Sequence, residues 1–465
     1  MSRPLELARL LGDGSPVLSL AETFRVGGHD LYLVGGSVRD AWLRRPHEDL
    51  DFATDATPDQ TKKLVKNVAE NVWLQGEAFG TIGAEIGGLR MEITTFRTER
   101  YQPASRHPEV DFASDIETDL SRRDFTINAM ALRLPEKAAV DPFAGVKDLT
   151  AKLIRTPLDP IVSFTDDPLR MLRAFRFASQ LDFKIDPQTL RAIGELRDEI
   201  KTVSSERIRD ELSKLVTGAA PARALELAEA SGLTQHFLPE LSNLKLEQDP
   251  VHRHKDVFHH TLAVMERTDP DLVLRLAALL HDIGKPKTRR IDPEGVSFHH
   301  HEVVGADMAA DRLRALRFKN EIVDSVSEII RLHHRFHTYR LGWSDSAVRR
   351  YVRDSGPLMP RLNALVRSDC TTRNVAKAKE LAARMDELEE RIAELAAKEE
   401  LDRIRPDLDG RQVMDHLGVP PGPIVGDALA FLLELRLEEG PLGEAEALRR
   451  LDEWARAHGS STPEK

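Results

Sequence analysis

The sequence predicts an α+β protein, with one small mixed sheet in the first third of the chain and helices through the remainder. Three observations support this. Between Leu31 and about Leu134, short β-rich runs alternate with glycines and helical stretches. From Ser163 onward, apolar residues such as Leu169, Leu172, Phe175 and Phe177 recur at helical spacing. At 465 residues the chain exceeds one ordinary core, and roughly 150 residues per domain suggests about three domains.

In order along the chain, the predicted strands are Leu31-Tyr32-Leu33-Val34, Thr81-Ile82-Gly83-Ala84-Glu85-Ile86 and Met91-Glu92-Ile93-Thr94-Thr95-Phe96. After Asp141-Pro142-Phe143-Ala144-Gly145 the pattern changes, so a boundary is expected near 155 with only helices beyond it. A second break falls between Leu238-Pro239 and Asp249-Pro250, before a histidine-rich helical stretch, and Leu381 to Glu399 reads as a charged helix. The expected division is residues 1–155 as a head (an N-terminal helix, then the sheet), 156–245 as a helical neck and body, 246–375 as a histidine-rich helical domain, and 376–465 as a helical tail that frays from Gly459 to Lys465.

Composition narrows the function. Apolar residues at 41% and charged residues at 31% suit a folded globular chain. No apolar run approaches the ~18 residues of a membrane helix, and Met1 to Leu20 lacks the pattern of an export signal, so no membrane partner is expected. The single cysteine, Cys370, fits a reducing compartment, and the expectation is a cytoplasmic protein. A net charge of −11 means that nucleic acid would be met by local basic stripes, such as Arg170, Arg173 and Arg176, or Arg331, Arg335, Arg340, Arg349 and Arg350.

The most specific stretch is Val34-Gly35-Gly36-Ser37-Val38-Arg39-Asp40 with Asp49-Leu50-Asp51 following. Paired glycines at a strand end let backbone N–H groups approach a phosphate, and the next helix turns its N-terminus toward it. Asp49 and Asp51, two apart on an extended segment, project to one face and can share Mg²⁺. One such ion would lower the pKa of an attacking 3′-hydroxyl and another would neutralise the leaving pyrophosphate. Glu92 offers a third carboxylate, or is an exposed strand residue.

These residues resemble the signature of the class II tRNA nucleotidyltransferase and bacterial poly(A) polymerase family, in the polymerase β superfamily. Thr95-Phe96-Arg97, Arg122-Arg123-Asp124-Phe125-Thr126-Ile127-Asn128-Ala129-Met130, Asp166-Asp167-Pro168-Leu169-Arg170 and Ser205-Glu206-Arg207-Ile208 to Glu211-Leu212 follow in the family's order. The resemblance covers roughly residues 25 to 240 and implies a polymerase β-like head, tRNA as partner, and CTP and ATP as substrates. Arg39, Arg97, Arg123, Asp124 and Asn128 match positions near the nucleotide. Asp167 and Arg170, i and i+3 on one predicted helix, can together meet a base edge. The acid accepts from the amine of C or A and the guanidinium donates beside it, which refuses U and G. Alternatively Asp167 caps the helix and Arg170 forms a surface ion pair. Asp166 stands where the family usually has Glu.

A second constellation centres on His281-Asp282, with His260, His301, His333 or His334, and Asp369 in order, and resembles the HD phosphohydrolase superfamily. The resemblance implies metal-assisted phosphoester hydrolysis, with His260, His281, Asp282 and Asp369 as ligands and His301 and His334 chosen from clustered histidines. Manganese, nickel, cobalt, magnesium and iron are all compatible with such ligands. The expected function is CCA addition to tRNA. Poly(A) polymerase and CC-only or A-only addition are the alternatives, and beyond them an HD hydrolase with the head kept as an RNA-binding module.

Overall fold

The computed structural model describes residues 10–45, 50–100, 109–113, 115–246, 256–292, 295–338, 343–370, 375–401 and 404–458. The chain divides into two compact units, Met1–Ser242 and Asn243–Lys465. Among the described residues no helix is long and apolar enough to cross a membrane.

The first unit begins with α1 (Pro16–Val26), whose Ser15 side chain caps the helix by accepting from the Leu18 N–H. Then come β1 (Leu31–Val34), α2 (Gly36–Trp42), β2 (Leu50–Thr54), α3 (Pro58–Val65), β3 (Asn71–Trp73), β4 (Thr81–Ile86), β5 (Leu89–Thr95), the hairpin β6 (Arg97–Arg100) and β7 (Glu109–Phe112), α4 (Ile116–Ser121), β8 (Ala131–Leu134) and β9 (Ala138–Val140). Seven strands form one mixed sheet in the order β3-β4-β5-β2-β1-β8-β9. The interior strand β1, Leu-Tyr-Leu-Val, is buried at every position, as a strand flanked by neighbours and covered on both faces requires. In β5 the apolar Met91 and Ile93 are buried while Arg90 and Glu92 face out, a period of two. One face is sealed by Tyr32, Val34, Ala53, Phe96, Leu120, Ala129 and Ala131.

Helices α5 (Gly145–Ala151), α6 (Pro160–Asp166), α7 (Leu169–Leu181), α8 (Pro187–Leu196), α9 (Ser205–Val216) and α10 (Pro221–Ala230) complete this unit. Nearly every side chain of α7 is buried, Arg170 and Arg176 included. The expectation of helices alone beyond 155 is amended by two small strand pairs. The pair β10 (Leu153–Ile154) and β11 (Lys184–Ile185) is parallel, and in the second unit β12 (Arg290–Asp292) and β13 (Gly295–Ser297) form a hairpin. Runs of two and three residues are too short to show an alternation.

The second unit contains α11 (Val257–Arg267), α12 (Leu272–Leu280), α13 (His301–Ala315), α14 (Asn320–Leu332), α15 (Asp345–Ser355), α16 (Met359–Asp369) and α17 (Val375–Lys398). It ends in α18 (Gly410–Leu417), α19 (Pro423–Glu439) and α20 (Glu444–Ala457), joined by a core that includes Val413, Leu432 and Leu451. The apolar α12 is central; Asp271 caps it and is itself gripped by Arg361 at 2.9 and 2.8 Å. The basic stretch from Arg331 is committed to internal pairs. Arg331 meets Asp307, Arg335 meets Asp354 and Arg350 meets Glu434, while Arg349 and Arg436 close on the buried Glu399. Arg340 lies outside the described residues.

Candidate active sites

In the first unit a cavity of about 640 Å³ is lined by Gly35, Gly36, Arg39, Asp51, Arg97, Arg122, Arg123, Asp124, Asn128, Asp167, Arg170, Arg173, Arg176, Phe177, Gln180, Arg207 and Lys214. All the sequence-selected nucleotide residues are there except Asp49, which lies outside the described residues. Among the described residues nine cations face three carboxylates, so a chain with net charge −11 holds a strongly positive pocket.

Each wall element has a local cause. Gly35 has φ 68 and ψ −133, a conformation open only to glycine, and a Cβ there would sit 2.8 Å from an Arg123 nitrogen. The Ser37 hydroxyl accepts from the Asp51 N–H at 3.1 Å and ties the glycine turn to β2. The parallel register of β2 and β5 sets Asp51 beside Glu92. Arg39 chelates Asp40 at 2.9 and 2.7 Å and donates to Asn128 at 2.7 Å.

Three acids that line or back the cavity organise its arginines. Asp119, 1% exposed, accepts from Arg122 at 2.7 Å and Arg123 at 3.0 Å. Asp124 accepts from Arg173 at 2.9 Å and from Asn128 at 2.9 Å. Burial alone would raise both acids, but the adjacent guanidiniums outweigh it and hold both carboxyls below the usual range, Asp124 far below. Glu211 accepts from Arg176 Nη1 at 3.3 Å and pairs with its charge. The Phe177 ring lies under the Arg176 guanidinium at 3.9 Å, with Arg39 at 5.1 Å and Arg173 at 5.7 Å. Burial and the neighbouring Arg173 charge press Arg176 down to about 10, so it is still charged at neutral pH. The sequence reading missed Asp119, Glu211 and Phe177. The available signal for Asp119 was its spacing, three and four residues before two arginines on one helical turn.

The helix holding Arg170 begins at Leu169, so Asp167 precedes it in an extended bend and the two are not on one helix as expected. Pro168 cannot continue α6, and the break places Asp167 in the cavity wall. Its Oδ1 accepts from the Leu169 N–H at 3.1 Å and its Oδ2 from Arg207 at 2.9 Å. Arg170, 8% exposed, donates to the Ser163 hydroxyl at 2.9 Å and the Arg122 carbonyl at 2.5 Å.

The second unit holds a cavity of about 1270 Å³ lined by His260, Asp282, Lys285, His301, His333, His334 and Asp369 among others. Two ligand groups stand together, His260, His281 and Asp369, and Asp282, His301 and His333, the candidate atoms of each lying within 4.8 Å of one another. His281 and Asp282 follow the C-terminus of α12, and His301 starts α13. Gly284 permits that approach, since a Cβ there would lie 2.2 Å from the His301 carbonyl. Of the paired histidines, His333 joins the group, whereas the exposed His334 stacks edge-on at 5.2 Å from His301.

His281, His301 and His333 each place Nδ1 on the carbonyl three residues earlier, Ala278, Phe298 and Ile330, at 2.8, 2.8 and 2.5 Å. With Nδ1 on a carbonyl, each ring keeps its Nε2 as the atom that would meet an ion once that nitrogen is deprotonated. The His281 Nε2 is buried without a hydrogen-bond partner. Burial works against charge on His281, yet Asp282 and Asp369 push it up to about 10, while burial and the His281 charge push His333 down to about 3. A donor set of imidazoles and carboxylates with an orphaned ring nitrogen fits a divalent metal.

Residues 31–155 match the poly(A) polymerase head domain, 182–245 the probable RNA and SrmB-binding site of polymerase A, and 257–402 the HD domain. The A-adding tRNA nucleotidyltransferase of Deinococcus radiodurans is 35% identical over 91% of this chain and 95% of its own length. The CCA-adding enzyme of Pediococcus pentosaceus is 44% identical, but over 43% of this chain and 49% of its own length. Among solved structures, the Bacillus stearothermophilus CCA-adding enzyme in complex with CTP superposes with a TM-score of 0.70 at 25% identity, covering 96% of this chain and 98% of that one. With the relative from Deinococcus aligned along almost its whole length, the chain belongs to the tRNA nucleotidyltransferase family, with a poly(A) polymerase-type head and an HD domain.

Proposed function

We propose that this chain completes the 3′ end of tRNA, adding CMP, CMP and AMP from CTP and ATP. The observation that supports it is the convergence in one cavity of Asp51, the Gly35-Gly36 turn, nine cations, and the Asp167 and Arg170 pair. Asp49 and Asp51 would hold Mg²⁺, which when bound supplies charge neutralisation and a more acidic 3′-hydroxyl. The arginines of the cavity bind and orient the triphosphate, and Asp124 and Asn128 fix Arg173 and Arg39 while they do so. Asp167 reads the exocyclic amine of C or A by exchanging its Arg207 contact for the base. Residues 1–155, 156–245, 246–375 and 376–465 serve as head, neck and body, HD domain and tail. We place the protein in the cytosol.

In the second unit, His260, His281, Asp282, His301, His333 and Asp369 would hold one or two divalent ions and support hydrolysis of phosphate esters. His334, first proposed as a ligand, is better placed to meet substrate at the rim.

A second reading for the head is favoured by the Deinococcus relative, which is named as A-adding. Full-length protein with Mg²⁺, tRNA transcripts ending before CCA or after CC, and labelled CTP and ATP separates the two. Two cytidines and one adenosine followed by a stop establish CCA addition. Adenosine on the CC transcript alone establishes A addition, and unlimited adenosine a poly(A) polymerase. No incorporation would leave the HD hydrolase as the main activity.

A further inference from the structure

Besides histidines, the wall of the second cavity carries three cations, Lys285, Arg367 and Arg384. Lys285 donates to Asp282 at 2.7 Å, and Arg367 donates to Asp386 and Glu389 at 2.7 Å each. Arg384 differs. Its Nε and Nη2 are out of solvent with no hydrogen-bond partner, and no carboxylate among the described residues pairs with it. Its guanidinium lies 5.3 Å from the centre of the buried Phe336 ring, and Met385 beside it is 1% exposed, so the side chain is held by packing. A guanidinium kept largely dry without an anion is costly unless an anion arrives to pair with it.

We propose that Arg384, contributed by α17, is the anion-docking residue of this cavity and receives a phosphate oxygen of the substrate. The inference rests on the hydrolase reading of the cavity. The Phe336 ring packs beside the guanidinium and takes no hydrogen bond from Nε or Nη2, and phosphate oxygens match the planar fork of an arginine. The cations near the metal-ligand groups are neutralised, so Arg384 supplies the positive charge that selects an anionic ester and turns it toward His281 and Asp282.

The experiment is a titration of the full chain, with Mg²⁺, against inorganic phosphate, read from the imidazole resonances of selectively labelled histidines. Among the described residues no histidine lines the head cavity, and only the resonances assigned to His260, His281, His301 and His333 are followed, so phosphate bound in the head is silent. In Arg384→Met the phosphate dissociation constant is expected to rise roughly tenfold or more, the loss typical of a charge-assisted bond. The melting temperature should stay level or rise, and nucleotide incorporation should be unchanged. Arg384→Lys, which restores the charge, should recover part of the affinity. Unchanged phosphate affinity in Arg384→Met overturns the inference, as does no recovery with lysine, or a lower melting temperature with displaced histidine resonances before phosphate is added. No response in the wild-type chain overturns the hydrolase reading itself.

Discussion

Among the described residues the head cavity gathers nine cations and no histidine, while six histidines line the cavity of the second unit. Their supports differ in the same way. In the head, Asp119, Asp124 and Glu211 aim arginines inward. In the second unit, main-chain carbonyls aim the imidazoles. Buried acids stabilise a wall of positive donors, which suits a triphosphate, and carbonyls that hold Nδ1 leave Nε2 for a metal ion. Both cavities suit phosphate chemistry, the first through donors for the phosphate itself and the second through a ligand set that would hold an ion.

The largest effects expected are those that separate the two cavities. Asp51→Ala should lower nucleotide incorporation by at least the ~10²–10³-fold that follows loss of one electrostatic stabiliser, with phosphoesterase activity intact. His281→Ala should do the reverse, losing more metal affinity than the roughly 10–100-fold typical of an outer partner. Crossed assays of both variants check this, and either substitution silencing both activities would break the separation. Gly35→Ala should raise the KM for nucleotide about tenfold, since its backbone conformation costs ~1–3 kcal/mol for any other residue. Initial rates against nucleotide concentration measure it.

Asp119→Asn sharpens the comparison on the stability side. Removing one partner of a fully buried ion pair costs ~3–5 kcal/mol, and because Arg122 and Arg123 reach solvent we expect about 2 kcal/mol in urea unfolding, with a raised KM. The smallest effect is with pH. The folded pKa of Asp119 is depressed, so its contribution is complete above the ordinary aspartate value near 4 and lost as pH falls through the folded one. Stability measured from pH 5 to pH 3 should therefore fall less steeply in Asp119→Asn, by up to about 1.4 kcal/mol per pH unit.

The mixed sheet and the glycine turn were legible because Leu31 to Val34 and Gly35-Gly36 carry local signals, alternation or glycine where φ is positive. The two metal-ligand groups were mostly legible through His281-Asp282, a pair placed at the end of an apolar helix. What depends on tertiary burial was not. Asp119 and Glu211 look like ordinary helix-surface acids in the sequence, and only the fold turns them beneath arginines. His333 and His334 are neighbours with equal claims until α14 ends and buries the first. The i, i+3 spacing of Asp167 and Arg170 suggests one shared helix, but Pro168 sits at its start and the helix begins only at Leu169.

The carbonyls that orient His281, His301 and His333 each lie three residues earlier in the chain, at Ala278, Phe298 and Ile330. Their aim is thus set by main-chain atoms close by in the sequence. On the metal reading proposed for this cavity, exchanging one divalent ion for another would leave these three rings pointing the same way.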